Sequence, residues 1–248
     1  MATTSPNVVL GRTRDAASDR LLASGLRIFG QHGLQGVSTR QLAQAAGVNV
    51  AAIGYYFGGK EGCYIAVARH IVDCYAAPLR ALAEEARMCL DAAPLDPSAE
   101  RSWLERLLKS AAQTLLARSE TTHVVCFVLR EQLQPTAAFD VLYEGLIRPV
   151  HEAISLLTSR LFGGAADAPE TILRAHAVLG QVLAFQTGRA TILRRLGWPS
   201  YTPEQVEQIA MIAAEFACRT LGVDAPDRLN GVASPPGNGA VPCAGERR

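Results

Sequence analysis

Residues 38–60 read STRQLAQAAGVNVAAIGYYFGGK, two short helix-forming segments separated by a single glycine. Ser38 followed by Gln41 is a capping-box pattern, which predicts the start of a helix. Gly47 predicts a reversal of the chain with positive φ, a conformation that glycine adopts at little cost. A second helix is expected over residues 49–57, where it ends before two more glycines.

The apolar residues of this stretch have the spacing of a helix-turn-helix unit. Leu42 and Ala43 form the inward face of the first helix, and the small Ala43 allows a second helix to cross closely. Val48 and Ile53 are expected to pack back onto that face. In DNA-binding units of this kind the second helix lies in the major groove. An ordinary helical hairpin is the alternative, because alanine and glycine are common at turns.

The flanking residues favour a DNA-binding unit over a plain hairpin. Ser38, Thr39 and Arg40 stand at the amino end of the first helix, where free backbone N–H groups attract a phosphate. Tyr55 and Tyr56 place hydroxyl groups at the end of the second helix. Lys60 begins the next helix, where the helix dipole slightly disfavours a cation, so a facing phosphate explains it better.

The charge of the chain is unevenly distributed. The 248 residues include 24 basic and 23 acidic side chains, so a protein coated in positive charge is excluded. Residues 1–70, however, hold seven basic residues against three acidic ones. This basic amino end predicts a polyanionic partner there.

The remainder of the chain predicts an all-α protein. Residues 1–13 and 225–248 are expected to be disordered, because they hold too little apolar sequence to offset the entropy of ordering. Between them we expect a helix-turn-helix domain over 14–60 and a helical domain over 61–224. The predicted helices cover about 18–31, 38–46, 49–57, 60–78 or beyond, 98–118, 121–133, 136–161 with a kink at Pro149, 169–196 and 202–221.

Several classes of protein are not supported by the sequence. No apolar run is long enough to span a membrane, and the first 20 residues hold no signal-peptide core, so a cytoplasmic protein is expected. Six scattered cysteines are expected to be reduced and mostly packed as small apolar residues. Without H-x-x-H or C-x-x-C spacing, no metal site is expected, and no motif calls for a cofactor.

Glu131 and Glu152 with His151 could form an acid/base group, but no catalytic motif supports an enzyme.

Residues 20–71 closely resemble the DNA-binding domain of the TetR family of bacterial regulators. The matching segments are 26–29 with Gly33, then 37–43, 46–48 and, most specifically, 51–62. The helical domain over 61–224, called the body from here on, resembles the CecR-type subfamily at 129–136 and at 147–151. This resemblance implies a homodimer that binds palindromic double-stranded operator DNA and uses its last two long helices as the dimer interface.

The resemblance also implies a small-molecule effector bound in the body, most simply one that releases a repressor from DNA. An apolar ligand is expected, held by a few polar groups. His123 and Arg130 are seven residues apart on one helix and therefore share a face. Arg130 would suit an anionic or carbonyl-bearing ligand, with a structural salt bridge as its alternative role. The candidate ligand-binding residues are His123, Arg130, Tyr143 and Gln181.

The chain departs from its relatives at Gly54, where many of them have Asn or Tyr. Glycine inside a helix costs about 0.5–1 kcal/mol relative to alanine, and it removes a side chain that could reach DNA. Base reading is then expected to depend on Arg40, on Tyr55 and on apolar contacts with thymine methyl groups. The alternative from another class is an α-helical enzyme or adaptor with a hairpin that does not bind DNA. The candidate DNA-contacting residues are Ser38, Thr39, Arg40, Val50, Ala51, Ala52, Tyr55, Tyr56 and Lys60.

Overall fold

The computed structural model describes residues 16–92, 96–116 and 121–222. Within these ranges the backbone forms twelve α-helices and two π-helical turns and contains no strand, which confirms the all-α prediction. The terminal segments 1–13 and 225–248, for which we expect disorder, lie outside the described residues. No described helix combines the length and apolar character needed to cross a membrane.

Four helices form the N-terminal part of the structure. The first of them buries Leu22, Leu26 and Phe29, the residues whose helical spacing predicts it. The second begins after Ser38, as the capping box requires. The four helices are α1 (Ala16–His32), α2 (Thr39–Ala46), α3 (Ala51–Phe57) and α4 (Lys60–Ile71).

Eight helices follow, and most begin and end close to their predicted positions. The single helix expected over 169–196 is instead two, because Gly188 interrupts it with φ −88° and ψ 10°. Glycine has the poorest helix propensity after proline, so the break falls there. These helices are α5 (Ala77–Ala92), α6 (Pro97–Leu116), α7 (Thr121–Leu133), α8 (Ala137–Leu142), α9 (Arg148–Phe162), α10 (Pro169–Thr187), α11 (Arg189–Leu196) and α12 (Pro203–Thr220).

Two π-helical turns join helices into longer rods. Val72–Ala76 connects α4 to α5, and Tyr143–Ile147 connects α8 to α9. The second turn comes just before Pro149, where the sequence predicts a kink. Proline has no N–H to donate to the preceding turn, and the N–H of Arg148 reaches back five residues to the Tyr143 carbonyl. The irregularity is therefore a π turn on the amino side of the proline.

The apolar packing divides at these two π turns. The N-terminal core, formed by α1–α4, also takes in buried side chains of α7 and α8, among them Phe127 and Leu142. The body core is formed by α5, α6, α9, α10 and α12. The two turns touch, since a Cβ on Gly145 would lie 2.6 Å from Cγ1 of Val72. Helix α4, which begins at residue 60, the predicted domain boundary, packs into the N-terminal core.

The cysteines are less uniformly buried than the sequence suggests. Cys63 and Cys218 are buried, and burial raises the pKa of the Cys63 thiol to about 12. Cys74, Cys89 and Cys126 are exposed on helix surfaces instead. All five are free thiols. The expectation that the cysteines mostly pack as small apolar residues thus holds for only two of these five.

Candidate nucleic-acid interface

The turn between α2 and α3 has the geometry that its sequence predicts. The Gln41 N–H donates to the Ser38 hydroxyl at 3.2 Å, and the Ser38 N–H donates to the Gln41 side chain at 2.9 Å. Gly47 ends α2 with φ 62°, after which the Val48 N–H donates to the Ala43 carbonyl at 3.0 Å. The buried side chains of the unit include Leu42, Ala43 and Ile53. The two helices are therefore locked together as a helix-turn-helix.

Two side chains of α1 hold the carboxyl end of α2. The Arg20 Nε donates to the Ala46 carbonyl at 3.2 Å, and the Ser24 hydroxyl donates to the Ala45 carbonyl at 3.1 Å. These contacts satisfy carbonyl groups that have no partner within the helix. They fix the orientation of α2 and, through the turn, of α3.

The outward face of α3 is formed by short side chains and one long one. Val50 is 44% exposed, Ala51 is exposed, and Tyr55 is 83% exposed. Ala52 and Tyr56, which we also expect to contact DNA, are half-buried and pack against the N-terminal core. Their side chains lie on the same side of α3 as the buried Ile53. They are therefore placed less favourably for contact with DNA than Val50, Ala51 and Tyr55.

The polar candidates stand at the amino ends of α2 and α4. Ser38 is exposed, but its hydroxyl already takes part in the capping box. Thr39 is half-buried at the first position of α2, and Arg40 beside it is exposed. Lys60 is the first residue of α4 and is half-buried. Within the described chain neither cation forms an ion pair, which leaves both charges available to an anion.

Tyr64 on α4 connects the helix-turn-helix unit with α7, a link that sequence reasoning missed. Its ring stacks on Phe127 with centroids 4.5 Å apart and meets Phe29 edge to face at 5.0 Å. Its hydroxyl donates to the Glu131 carboxylate, and burial together with this carboxylate raises the pKa of Tyr64. The other oxygen of Glu131 accepts hydrogen bonds from the N–H and hydroxyl of Thr136. Glu131 thus has a structural role within the N-terminal core.

Helices α1 and α7 approach each other closely. A Cβ on Gly30 would lie 2.7 Å from the His123 carbonyl oxygen, and one on Gly33 would lie 2.9 Å from Cδ of Arg130. The Arg130 Nη2 donates to the Gln31 carbonyl at the end of α1, at 3.2 Å. His123 and Arg130 therefore do share a face of α7, but that face meets α1. A glycine inside the α1 pattern was the available sequence signal for this contact.

The four candidate ligand-binding residues lie in three different settings. His123 and Arg130 belong to the α1–α7 contact, and Arg130 bonds a carbonyl rather than the acid considered as its alternative partner. Tyr143 is exposed and stacks on Phe139 at 5.9 Å. Gln181 is half-buried, with its Nε2 3.5 Å from the Ala177 carbonyl.

Two other polar features lie in the body. His151 and His176 stack with ring centroids 5.3 Å apart, and the His151 Nε2 lies 3.1 Å from the His176 Nδ1. Burial lowers the pKa of His151, and the nearby His176 lowers it further. On α10, Gln186 is buried and its Oε1 has no hydrogen-bond partner in the described structure. A groove of about 440 Å³ also opens between α5 and α6; it is lined by Pro78, Ala81, Leu82, Glu85, Arg106, Lys109, Ser110 and Gln113.

Comparison with known proteins places two family models on the chain. Residues 21–67 match the model described as bacterial regulatory proteins of the tetR family. Residues 101–222 match the C-terminal domain of the HTH-type transcriptional dual regulator CecR. The first match covers the helix-turn-helix unit, and the second covers most of the body.

One curated relative and two solved structures match most of the chain, the two structures in fold alone. The CecR protein of Shigella flexneri is 37% identical over 195 residues, which are 79% of this chain and 86% of that protein. Among solved structures, AmtR of Mycobacterium smegmatis has a TM-score of 0.57 at 20% identity, covering 88% of this chain and 91% of its own. AibR, in complex with isovaleryl coenzyme A and operator DNA, has a TM-score of 0.54 at 15% identity, covering 81% of this chain and 97% of its own.

The helix-turn-helix geometry, both family models and the CecR relative lead to one conclusion. The chain belongs to the TetR family of helix-turn-helix transcriptional regulators and carries a C-terminal domain of the CecR type.

Proposed function

We propose that this regulator is a cytoplasmic, homodimeric repressor that a largely apolar small molecule releases from palindromic operator DNA. The observation that carries the proposal is the continuous packing of the helix-turn-helix unit onto α7 and α8 of the body. This packing provides a physical route by which a change in the body alters the position of α3.

The contacts with DNA divide between positioning and base reading. The free N–H groups at the start of α2, with Ser38 and Thr39, would bind one phosphate, and Lys60 would bind another. Arg40 would read a guanine from the major groove. Val50, Ala51 and Tyr55 form the exposed face of α3 that would meet base edges, while the half-buried Ala52 and Tyr56 would mainly support that face.

The moving unit would be larger than the helix-turn-helix alone. It would contain α1–α4 together with α7 and α8, because these elements share the N-terminal core. The rest of the body would form the second unit, with the paired π turns at Val72–Ala76 and Tyr143–Ile147 as the joint between them. An effector that favours a different angle at this joint changes the spacing of the two α3 helices in a dimer, so that they no longer fit half-sites one helical turn apart.

Exposed apolar side chains on α10 and α12 support the proposed dimer interface. Leu173, Met211 and Phe216 are all more than half exposed, although the two helices also pack on the body core. We expect light scattering to give about twice 26.5 kDa for the wild type, and the Phe216→Glu variant to be monomeric. Leu133→Glu on α7 is the control, since Leu133 is also more than half exposed but lies on another helix. A Phe216→Glu variant that remains a dimer would exclude this interface.

The effector would bind within the apolar body core. Gln186 would supply a polar anchor, because its buried side-chain oxygen could accept a hydrogen bond from the ligand. His123 and Arg130 would act in coupling, through their contact with α1, while Tyr143 and Gln181 remain candidates for ligand contact. Isovaleryl coenzyme A, bound in the AibR structure, is a suitable first probe.

The experiment that tests the proposal is footprinting on the DNA that flanks the gene of this protein, followed by binding measurements at several salt concentrations. A protected palindrome, bound tightly with a steep salt dependence, would support the function. Compounds that raise thermal stability would then be titrated against free and DNA-bound protein. An inducer must bind the free protein better, and DNA must weaken its binding by the same factor. Absence of any preferred duplex would exclude the proposed function.

A further inference from the structure

Gly54 occupies a position in α3 for which the packing of the protein gives no reason. It lies inside the helix Ala51–Phe57 and is not among the glycines with positive φ. A Cβ built on it would meet no neighbouring atom within 4 Å. Since glycine weakens a helix interior relative to alanine, the residue carries a cost that no contact within the described part of the chain offsets.

Two other helical glycines are required by the close approach of a neighbouring helix. A Cβ on Gly25 would lie 2.9 Å from Cγ2 of Val67, and one on Gly30 would lie 2.7 Å from the His123 carbonyl oxygen. In both places another helix approaches so closely that no side chain fits. Gly54 has no such neighbour among the described residues, which leaves its face of α3 open to a partner.

Gly54 lies on the exposed face of α3 that we expect to meet DNA. Ile53 beside it is buried, whereas Gly54 is exposed, three residues after Ala51 and four after Val50, and therefore on the same face. This is the face of the second helix of the helix-turn-helix, which in this family of regulators enters the major groove. Glycine is the residue that permits a backbone to approach a ligand closely.

We propose that Gly54 is a positioning residue, whose missing side chain lets the α3 backbone seat close to the bases, so that the methyl groups of Val50 and Ala51 contact thymine methyl groups. The inference rests on the proposed function and adds to it the chemistry of base reading.

The short side chains on either side support this reading. The side chain of Val50 ends one carbon beyond Cβ, and that of Ala51 ends at Cβ. They therefore reach base edges only if the helix backbone lies deep in the groove. They offer no hydrogen-bond donor or acceptor, and the one apolar group on a base edge in the major groove is the thymine methyl. Specificity at these base pairs therefore comes from methyl contacts instead of hydrogen bonds.

The first test compares Gly54→Ala with the wild type on the footprinted operator. We expect the variant to melt about 1–4 °C higher, because alanine favours the helix. We expect it to bind the operator about tenfold more weakly, because the added methyl group holds α3 away from the bases. Ser102→Ala, an exposed change on α6, is the control, with a smaller gain in helix propensity and unchanged operator affinity.

The second test needs no protein variant. Each thymine of one operator half-site is replaced in turn by deoxyuridine, which lacks only the methyl group. Wild-type affinity should fall about fourfold at each contacted position, the fold-change expected for one buried methyl group. The same replacements should have less effect on Gly54→Ala, because its helix no longer reaches those methyl groups.

The outcomes separate this inference from the proposed function. Equal operator affinity of Gly54→Ala and wild type would overturn the inference, and so would wild-type affinity that is unchanged by every deoxyuridine. Both results presuppose a specific operator. If the wild type prefers no duplex at all, the proposed function fails first, and that result is obtained before either test begins.

Discussion

The Tyr64 hydroxyl donates a hydrogen bond of 2.7 Å to the buried carboxylate of Glu131, and this bond ties the first helix after the helix-turn-helix to α7. Glu131 is only 1% exposed, and its second oxygen is bonded to Thr136 at the start of α8. The carboxylate thus joins three helices within the N-terminal core. The group therefore links the position of α7 to that of α4.

Removing the Tyr64 hydroxyl should destabilise the protein. In Tyr64→Phe the ring packing is retained, but one buried carboxylate oxygen loses its donor, which costs about 1–3 kcal/mol. Urea unfolding measures the loss. Tyr55→Phe, at an exposed tyrosine of α3, is the matched control and should change stability by less than about 0.5 kcal/mol. Equal stability of the two variants would show that the Tyr64–Glu131 bond contributes nothing.

Arg40 and Lys60 should affect DNA binding in different ways. Arg40→Ala should lose about 1–3 kcal/mol of preference for the operator over other sequences, since a base contact discriminates. Lys60→Ala should weaken binding to all sequences alike and reduce the salt slope by about one, since a phosphate contact does not. Binding titrations at several salt concentrations distinguish the two. Arg87→Ala on α5 serves as control, and wild-type behaviour of all three variants would contradict both assignments.

Gly30 should not tolerate a side chain. Gly30→Ala places a methyl group 2.7 Å from the His123 carbonyl oxygen, so α1 and α7 must separate, at a cost of about 1–3 kcal/mol. Gly180→Ala on α10 is the control, because its added methyl group meets no atom within 4 Å. Denaturant unfolding should therefore show a loss for the first variant and none for the second. A stabilised Gly30→Ala would mean that the helices are not in close contact.

The His151–His176 pair should make stability depend on pH. Burial of His151, and then the nearby His176, lower its pKa below 6.5, so the folded state resists protonation and the unfolded chain does not. Stability should therefore fall as the pH drops from about 7.5 through 6.5 and below. His151→Gln should reduce this fall, and His176→Gln should reduce it less. Unfolding midpoints at pH 7.5 and 5.5 measure it, and an unchanged fall in His151→Gln would contradict the prediction.

The helix-turn-helix could be predicted from sequence because its determinants are local. The Ser38–Gln41 capping box, the left-handed Gly47 and the buried Ile53 each act within about a turn of helix, and the structure confirms all three. The same holds for the capping box at Thr202 and Gln205. Short-range hydrogen bonds and glycine conformations leave their mark directly in the order of residues.

The candidate ligand-binding residues show what helical spacing in the sequence does not predict. Helical spacing correctly places His123 and Arg130 on one face of α7, but it cannot state what that face meets. The structure brings Arg130 to the Gln31 carbonyl, 99 residues away in the chain. Ala52 and Tyr56 give a similar lesson, because the residues just before them, Ala51 and Tyr55, are exposed while they pack inward.

By itself the sequence determined the all-α class, the helix-turn-helix and the family, because these depend on caps, turns and apolar periodicity within short segments. Only the tertiary structure decided that α7 and α8 pack with the DNA-binding helices, that Tyr64 bonds Glu131 across 67 residues, and that two π turns meet at Gly145. These features depend on close packing between distant segments, where the fit of one side chain is set by the shape of the other helix. A linear pattern records which residues are apolar, but not which surfaces they bury against each other.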